Sequence, residues 1–373
     1  MKRLPISKPY LSIEALNLAK KVINSGEISG TFGEYITKFE KVFSNKHNKK
    51  FGISCSSGTA ALHLATKSLN LGKGDEVLCS TTTNMASFFS FLYNGAKAIP
   101  VDIEDKSFSM SIKDLEKKIT KKTKAIMVVH LFGYPCNMTK ISKIAKKFNL
   151  KLIEDCAEAH GSKVNNKFVG SFGDVGCFSF FSNKNLTCGE GGIVITDKKY
   201  LSDRMIQLRS LSFGKRKKFL HTEIGYNYRM SNIHAVIAYQ QSIEFDKLVS
   251  KRIDICKYYD HLFIQAGLED ITPPKPTYGK STYWMYHLVF ENLSVASVAK
   301  LRKKLHANGI ETREGFVPFH LQTKFNITKK IRNSCPLATK LNGKSFYIPT
   351  YLDIKKKDQE YIVEIISKQI KLL

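Results

Sequence analysis

Between about residues 50 and 200 the chain alternates short apolar runs with amphipathic stretches, and few folds accommodate that rhythm. The runs FGISC (51–55), EVLCS (76–80), AIPVD (98–102), AIMVV (125–129), KLIED (151–155), GCFSFF (176–181) and GIVIT (192–196) read as strands. Helical patterns separate several of them. In TAALHLATKSLN (59–70), Ala61, Leu62, Ala65 and Leu69 share one face; in MTKISKIAKKFN (138–149), Ile141, Ile144, Ala145 and Phe148 do. Strands this apolar have no solvent face. Linked through helices, they imply an α/β fold with a mainly parallel sheet covered on both sides. Ligands of such sheets bind beyond the carboxyl ends of the strands. Ser57, Gly58, Thr59, Asp155 and Lys184 all fall at or just after strand ends, so they are expected to converge.

Past residue 230 the texture changes. Two long helical patterns (231–245 and 247–266) lead to a proline-rich ITPPKP segment (271–276). A strand (283–290), a helix ending at Gly309 (297–309) and a terminal helix (358–371) follow. We therefore expect a large domain over 1–245 and a smaller C-terminal α+β domain over 246–373.

No apolar run approaches the ~20 residues that span a bilayer. The N-terminal MKRLPISKPYLSIEALN does not read as a signal peptide, so a cytoplasmic protein without a membrane partner is expected. The eight cysteines show no CxxC pairing and no metal-ligand spacing; buried reduced thiols and no bound metal are expected. The net charge of +27 raises the question of nucleic acid, but only nine of the 59 basic residues are arginine and the lysines are spread along the chain. Clustered, fork-shaped arginine suits phosphate and base recognition better, and no nucleic-acid-binding motif is present. No nucleic-acid partner is expected.

The segment GDVGCFSFFSNKNLTCGEGG (173–192) sets Lys184 between a strand and a glycine-rich turn. With the acidic strand end IEDCAEAHG (153–161) and the small-residue turn SSGTAAL (56–62), it completes an amine, a carboxylate and a phosphate-binding turn. Those three groups hold and use pyridoxal phosphate. The amine forms a Schiff base and must be desolvated or set near positive charge to act. A carboxylate keeps the pyridine nitrogen protonated so that the ring can accept electrons. Asp155 suits that role, and Glu158 is spaced to reach the ring hydroxyl; alone, Asp155 would better suit a helix N-cap, but beside Lys184 and the phosphate turn that reading loses. Ser57, Gly58 and Thr59 open a helix whose N–H groups suit a phosphate, to which Ser179 adds a hydroxyl.

In order along the chain, SSGTAALHLA, GDEV, TKAIMVVHLFGYP, IEDCAEAHGS, GDVGCFSFFSNKNLTCGEGG and IGYNYRMSNIHA resemble the DegT-type sugar aminotransferase family. Among these fold type I (aspartate aminotransferase-like) enzymes, the chain resembles perosamine-synthase-like members, which aminate C4 of a nucleotide-linked 4-keto-6-deoxyhexose. The resemblance implies a large domain with a seven-stranded sheet, and a homodimer with its active site at the interface. It implies Lys184 as the Schiff-base lysine, Asp155 on the pyridine nitrogen, Glu158 near the ring hydroxyl, and Gly58, Thr59 and Ser179 on the phosphate. Asn227 would reach the partner subunit's phosphate, and Arg229 and His320 would lie near the substrate. Apart from the resemblance, Lys215, in the basic run 215–218 ahead of GYNYR, is expected either to help bind a phosphate or pyrophosphate of the acceptor or to lie in a solvated loop. Lysine rather than histidine at 184 points to transamination, not dehydration, with L-glutamate as donor. Two positions depart from the family pattern. Asn84 stands where an aromatic ring usually stacks on the cofactor, and Glu27 stands where perosamine-synthase-like enzymes carry tryptophan. Those departures, with the basic run 215–218, keep a small phosphorylated ketone such as dihydroxyacetone phosphate open as the acceptor.

Overall fold

The computed structural model describes residues 3–30, 33–104, 106–214, 217–221, 223–274, 276–325 and 327–372. All seven expected strands form. They are β1 (Phe51–Cys55), β2 (Glu76–Ser80), β3 (Lys97–Val101), β4 (Thr123–Val129), β5 (Lys151–Asp155) and, after a short hairpin of β6 (Lys163–Val164) and β7 (Lys167–Phe168), β8 (Val175–Ser179) and β9 (Gly192–Thr196). They make one sheet in the order β1-β9-β8-β5-β4-β2-β3. Only β9 runs against its neighbours, pairing antiparallel with β1 and β8. The carboxyl ends of the other six strands therefore share one edge.

The period-two geometry of a strand sorts its side chains between two apolar layers. Ala125, Met127 and Val129 of β4 join one core with Val77 and Cys79 of β2, while Ile126 and Val128 join the other with Leu78. Helices cover both faces, as expected. The helix Gly58–Ser68 lies so deep that almost its whole circumference is buried, Leu64 and Thr66 included, and not only the expected face. Phe148 departs from its expected place. The helix ends at Lys147, and the Phe148 ring is 42% exposed beneath the Lys147 ammonium.

The two later helical patterns form Asn232–Ile243 and Phe245–Gln265. Strands β10 (Tyr286–Val289), β11 (Arg313–Glu314) and β12 (Ser345–Ile348) make an antiparallel sheet in the order β10-β12-β11. β10 starts later than the expected residue 283 because Tyr283 holds a left-handed φ of 48°, which extended backbone does not allow. Helices Val295–Ala307 and Lys356–Ile370 pack together beside it. Both apolar cores draw residues from either side of position 245. All eight cysteines are buried and free. No helix among the described residues is long and apolar enough to cross a membrane.

Candidate active site

At the shared carboxyl edge, β1 turns directly into the helix Gly58–Ser68. Ser57 caps it, its Oγ accepting the Ala60 N–H at 3.1 Å. The first N–H groups of a helix have no partner within it and carry partial positive charge, so this turn favours an anion. The end of β8 comes close beside it. A Cβ on Gly58 would stand 2.7 Å from the Ser179 Cβ and 3.0 Å from its Oγ, so only glycine fits. The missing Cβ brings the helix start and the Ser179 hydroxyl to one cradle.

Asp155 ends β5. Its Oδ2 accepts the Ser87 hydroxyl at 2.7 Å, which is bonded to the Thr83 hydroxyl at 2.9 Å, and its Oδ1 accepts the Ala157 N–H at 3.1 Å. No helix starts here, so the carboxylate is not an N-cap. Burial pushes its pKa up; the Ser87 and Ala157 hydrogen bonds and the Lys184 ammonium pull the other way. Glu158 is likewise raised by burial, against the opposing pull of Lys184. Its Oε2 accepts the Phe132 N–H at 2.9 Å. Phe132 presents that N–H from a left-handed conformation (φ 54°, ψ 16°), uncommon for a bulky residue.

The Lys184 side chain is 11% exposed. Its Nζ lies 3.5 Å from Glu158 Oε1 and 4.1 Å from the centre of the Trp284 ring. Burial lowers its pKa from the ordinary lysine value, with Glu158 and Asp155 opposing. The balance suits an amine that must shed its proton to react.

Ser57, Gly58, Thr59, Asn84, Asp155, Glu158, Ser179 and Lys184 all line one cavity of about 400 Å³. Trp284, Arg313, Phe316 and Tyr347, from the C-terminal part of the chain, line it too. Sequence reasoning gave those four no role, and neither Ser87 nor the Phe132 N–H. Asn84 is exposed at the rim, its amide oxygen taken by the Ala86 N–H at 3.0 Å.

Three expected residues lie elsewhere. His320 does not line the cavity. It is buried, with Nδ1 2.7 Å from the Thr81 hydroxyl and Nε2 2.8 Å from that of Thr339, so both ring nitrogens are spent on holding the chain. Arg229 lines a separate small cleft with Gly30 and Arg209, and Asn227 is exposed, bridged to Ser210. Lys215 lies outside the described residues.

His130, Glu154 and Cys156 form a buried group within 4.8 Å. Glu154 accepts from Phe172, Gly173 and Gly170 N–H groups and from His130 Nε2, while His130 Nδ1 accepts the Cys136 N–H. All four lone-pair positions of that carboxylate are occupied, which makes the group a structural brace.

The glycine-cleared cradle, the buried carboxylate and the buried amine fit pyridoxal phosphate. Comparisons with known proteins agree. Over 371 residues the chain is 38% identical to a GDP-perosamine synthase of Escherichia coli O157:H7, covering 99% of each chain. It is 36% identical over 327 residues to a UDP-N-acetyl-3-dehydro-alpha-D-glucosamine 3-aminotransferase of Acidithiobacillus ferrooxidans, covering 86% of this chain and 84% of that one. A Streptococcus pneumoniae structure described as a sugar aminotransferase, in its PLP-form, superposes with a TM-score of 0.91 at 25% identity over 100% of both chains. The family model of the DegT/DnrJ/EryC1/StrS aminotransferases matches residues 9–367, and the chain belongs to that family of pyridoxal phosphate-dependent, fold type I enzymes.

Proposed function

We propose that this aminotransferase moves an amino group from L-glutamate to C4 of a nucleotide-linked 4-keto-6-deoxyhexose, for surface polysaccharide or glycan biosynthesis. The observation that carries the reading is the buried Lys184 amine, facing Glu158 and Trp284 in the same cavity as Asp155 and the Gly58–Ser179 cradle. The named activities of the relatives, amination of nucleotide-linked sugars, support the acceptor class.

Ser57, Gly58, Thr59 and Ser179 would hold the cofactor phosphate, Asp155 the ring nitrogen, Glu158 the ring hydroxyl, and Lys184 the aldehyde carbon. Bound there, pyridoxal phosphate supplies an electron sink that acidifies the Cα–H of an amino acid. The chain supplies the rest. Lys184 Nζ would be the base that takes and holds the Cα proton. Asp155, to which Ser87 and Ala157 donate against the upward pull of burial on its pKa, would stabilise positive charge opposite its oxygens. Trp284, Phe316 and Tyr347 narrow the access of water to the amine.

Asn227 and Arg229 lie outside this cavity, and Phe219 and Ile224, in the preceding segment, are more than 70% exposed. Both facts suit a homodimer in which Asn227 completes the partner subunit's phosphate site.

The test is optical. Purified enzyme with added cofactor should show the absorbance of a lysine-linked cofactor and lose it on addition of L-glutamate. The band should return with a nucleotide-linked 4-keto-6-deoxyhexose, and not with a 3-keto sugar or dihydroxyacetone phosphate. Recovery with either of the latter alone overturns the acceptor assignment; failure of glutamate to bleach the band overturns the donor.

A further inference from the structure

Beyond narrowing the access of water, the mechanism gives the chain's only tryptophan no task. We propose that Trp284 is a positioning residue whose ring face is the resting place of the Lys184 ammonium whenever that amine is not joined to the cofactor. The inference rests on Lys184 being the cofactor's anchor.

Three observations carry it. The Lys184 Nζ sits 4.1 Å from the ring centre, well inside cation–π range. Its carboxylate neighbour, Glu158 Oε1, is 3.5 Å away, longer than a strong charge-assisted hydrogen bond. The indole is itself fixed: Nε1–H donates to the Asn183 carbonyl at 2.8 Å, the backbone N–H donates to Phe132 O at 3.0 Å, and the ring stacks on Phe132 at 17°. The tie to Asn183, next to Lys184 in the chain, keeps ring and amine in register. A ring face attracts a cation without a directional hydrogen bond. It therefore holds the nitrogen near the reacting atoms while leaving its N–H bonds free to break. A short ion pair to Glu158 would hold the proton instead.

Because the tryptophan is unique, its fluorescence reports this site alone. Glu158, Asp155, His160, Tyr347 and Arg313 also surround the amine, so the comparison is with Lys184→Met, which leaves them all in place. In the cofactor-free full-length protein, emission should titrate with a midpoint below the ordinary lysine value of about 10.4, and Lys184→Met should abolish that transition. The same transition in both proteins, or none in either, overturns the proposal. No cofactor is needed for this arm, so it is readable even where cofactor capture fails and the anchor assignment with it. A second arm follows the pH dependence of cofactor capture in folded Trp284→Phe and Trp284→Leu. Loss of a cation–π contact should move its midpoint down by roughly 0.5 to 1.5 units in the leucine variant and by less in the phenylalanine variant. A role in packing alone would weaken both variants without moving the midpoint, and that result overturns the proposal.

Discussion

Glu154 and Asp155 are neighbours at the end of one strand, both buried, and they do opposite work. Glu154 faces the layer formed with Leu152 and Phe178, where four donors fill its lone pairs and bind the Gly170–Gly173 turn to β5. Asp155 faces the cavity, takes two donors, and is left with capacity for a third. Strand alternation alone separates the two fates. A saturated carboxylate is architecture. An undersupplied one, its pKa raised by burial, has room for a further donor.

That contrast breaks cleanly under substitution. Asp155→Asn should lower turnover by about 10²–10⁴-fold, the range of a catalytic proton or charge contribution, while its fold survives; steady-state kinetics with circular dichroism read both. Glu154→Gln should do the reverse. It turns an amide NH₂ toward buried donors, so it should reduce stability by roughly 2–5 kcal/mol in a denaturant melt, with turnover per folded molecule near that of the parent. Gly58→Ala should weaken cofactor affinity by about tenfold or more, since its Cβ meets Ser179 at 2.7 Å and a contact that close forces a shift typically worth 1–3 kcal/mol; equilibrium titration with cofactor measures it. The smallest effect sharpens the comparison through pH. Burial raises the Asp155 pKa, so its contribution to stability is present below about pH 3.9 and lost as pH rises through the higher folded value. Asp155→Asn should therefore melt at or above the parent near neutrality, and the gap should close toward pH 4. A parent that melts higher at pH 7 would count against this reading of the buried carboxylate.

Much of this was legible in the chain itself. Apolar runs marked every strand of the large sheet, because a strand covered on both faces has no polar position to hide it. Lys184, Asp155 and the Ser57–Thr59 turn, which line one cavity, were readable because each stands at or just after a strand end. Glu158 gained its partner, the Phe132 N–H, through a backbone conformation that no side-chain pattern announces. Ser87 and Trp284 reach the site from segments far from Lys184 in sequence, and a lone serine or tryptophan carries no spacing signal. His320 shows the converse. Resemblance placed its position near the substrate, yet two threonine hydroxyls turn the ring inward. Which way a side chain points is settled by packing that sequence order does not record.

The contact between Gly58 and Ser179 also governs how this enzyme can change. Any side chain at 58 needs the one at 179 to shrink first, and shrinking it removes the hydroxyl expected on the phosphate. Neither single step is neutral, and the obvious compensating pair gives up a ligand of the site. The two positions, 121 residues apart, are thus coupled through one contact: a side chain at 58 fits only with a smaller residue at 179.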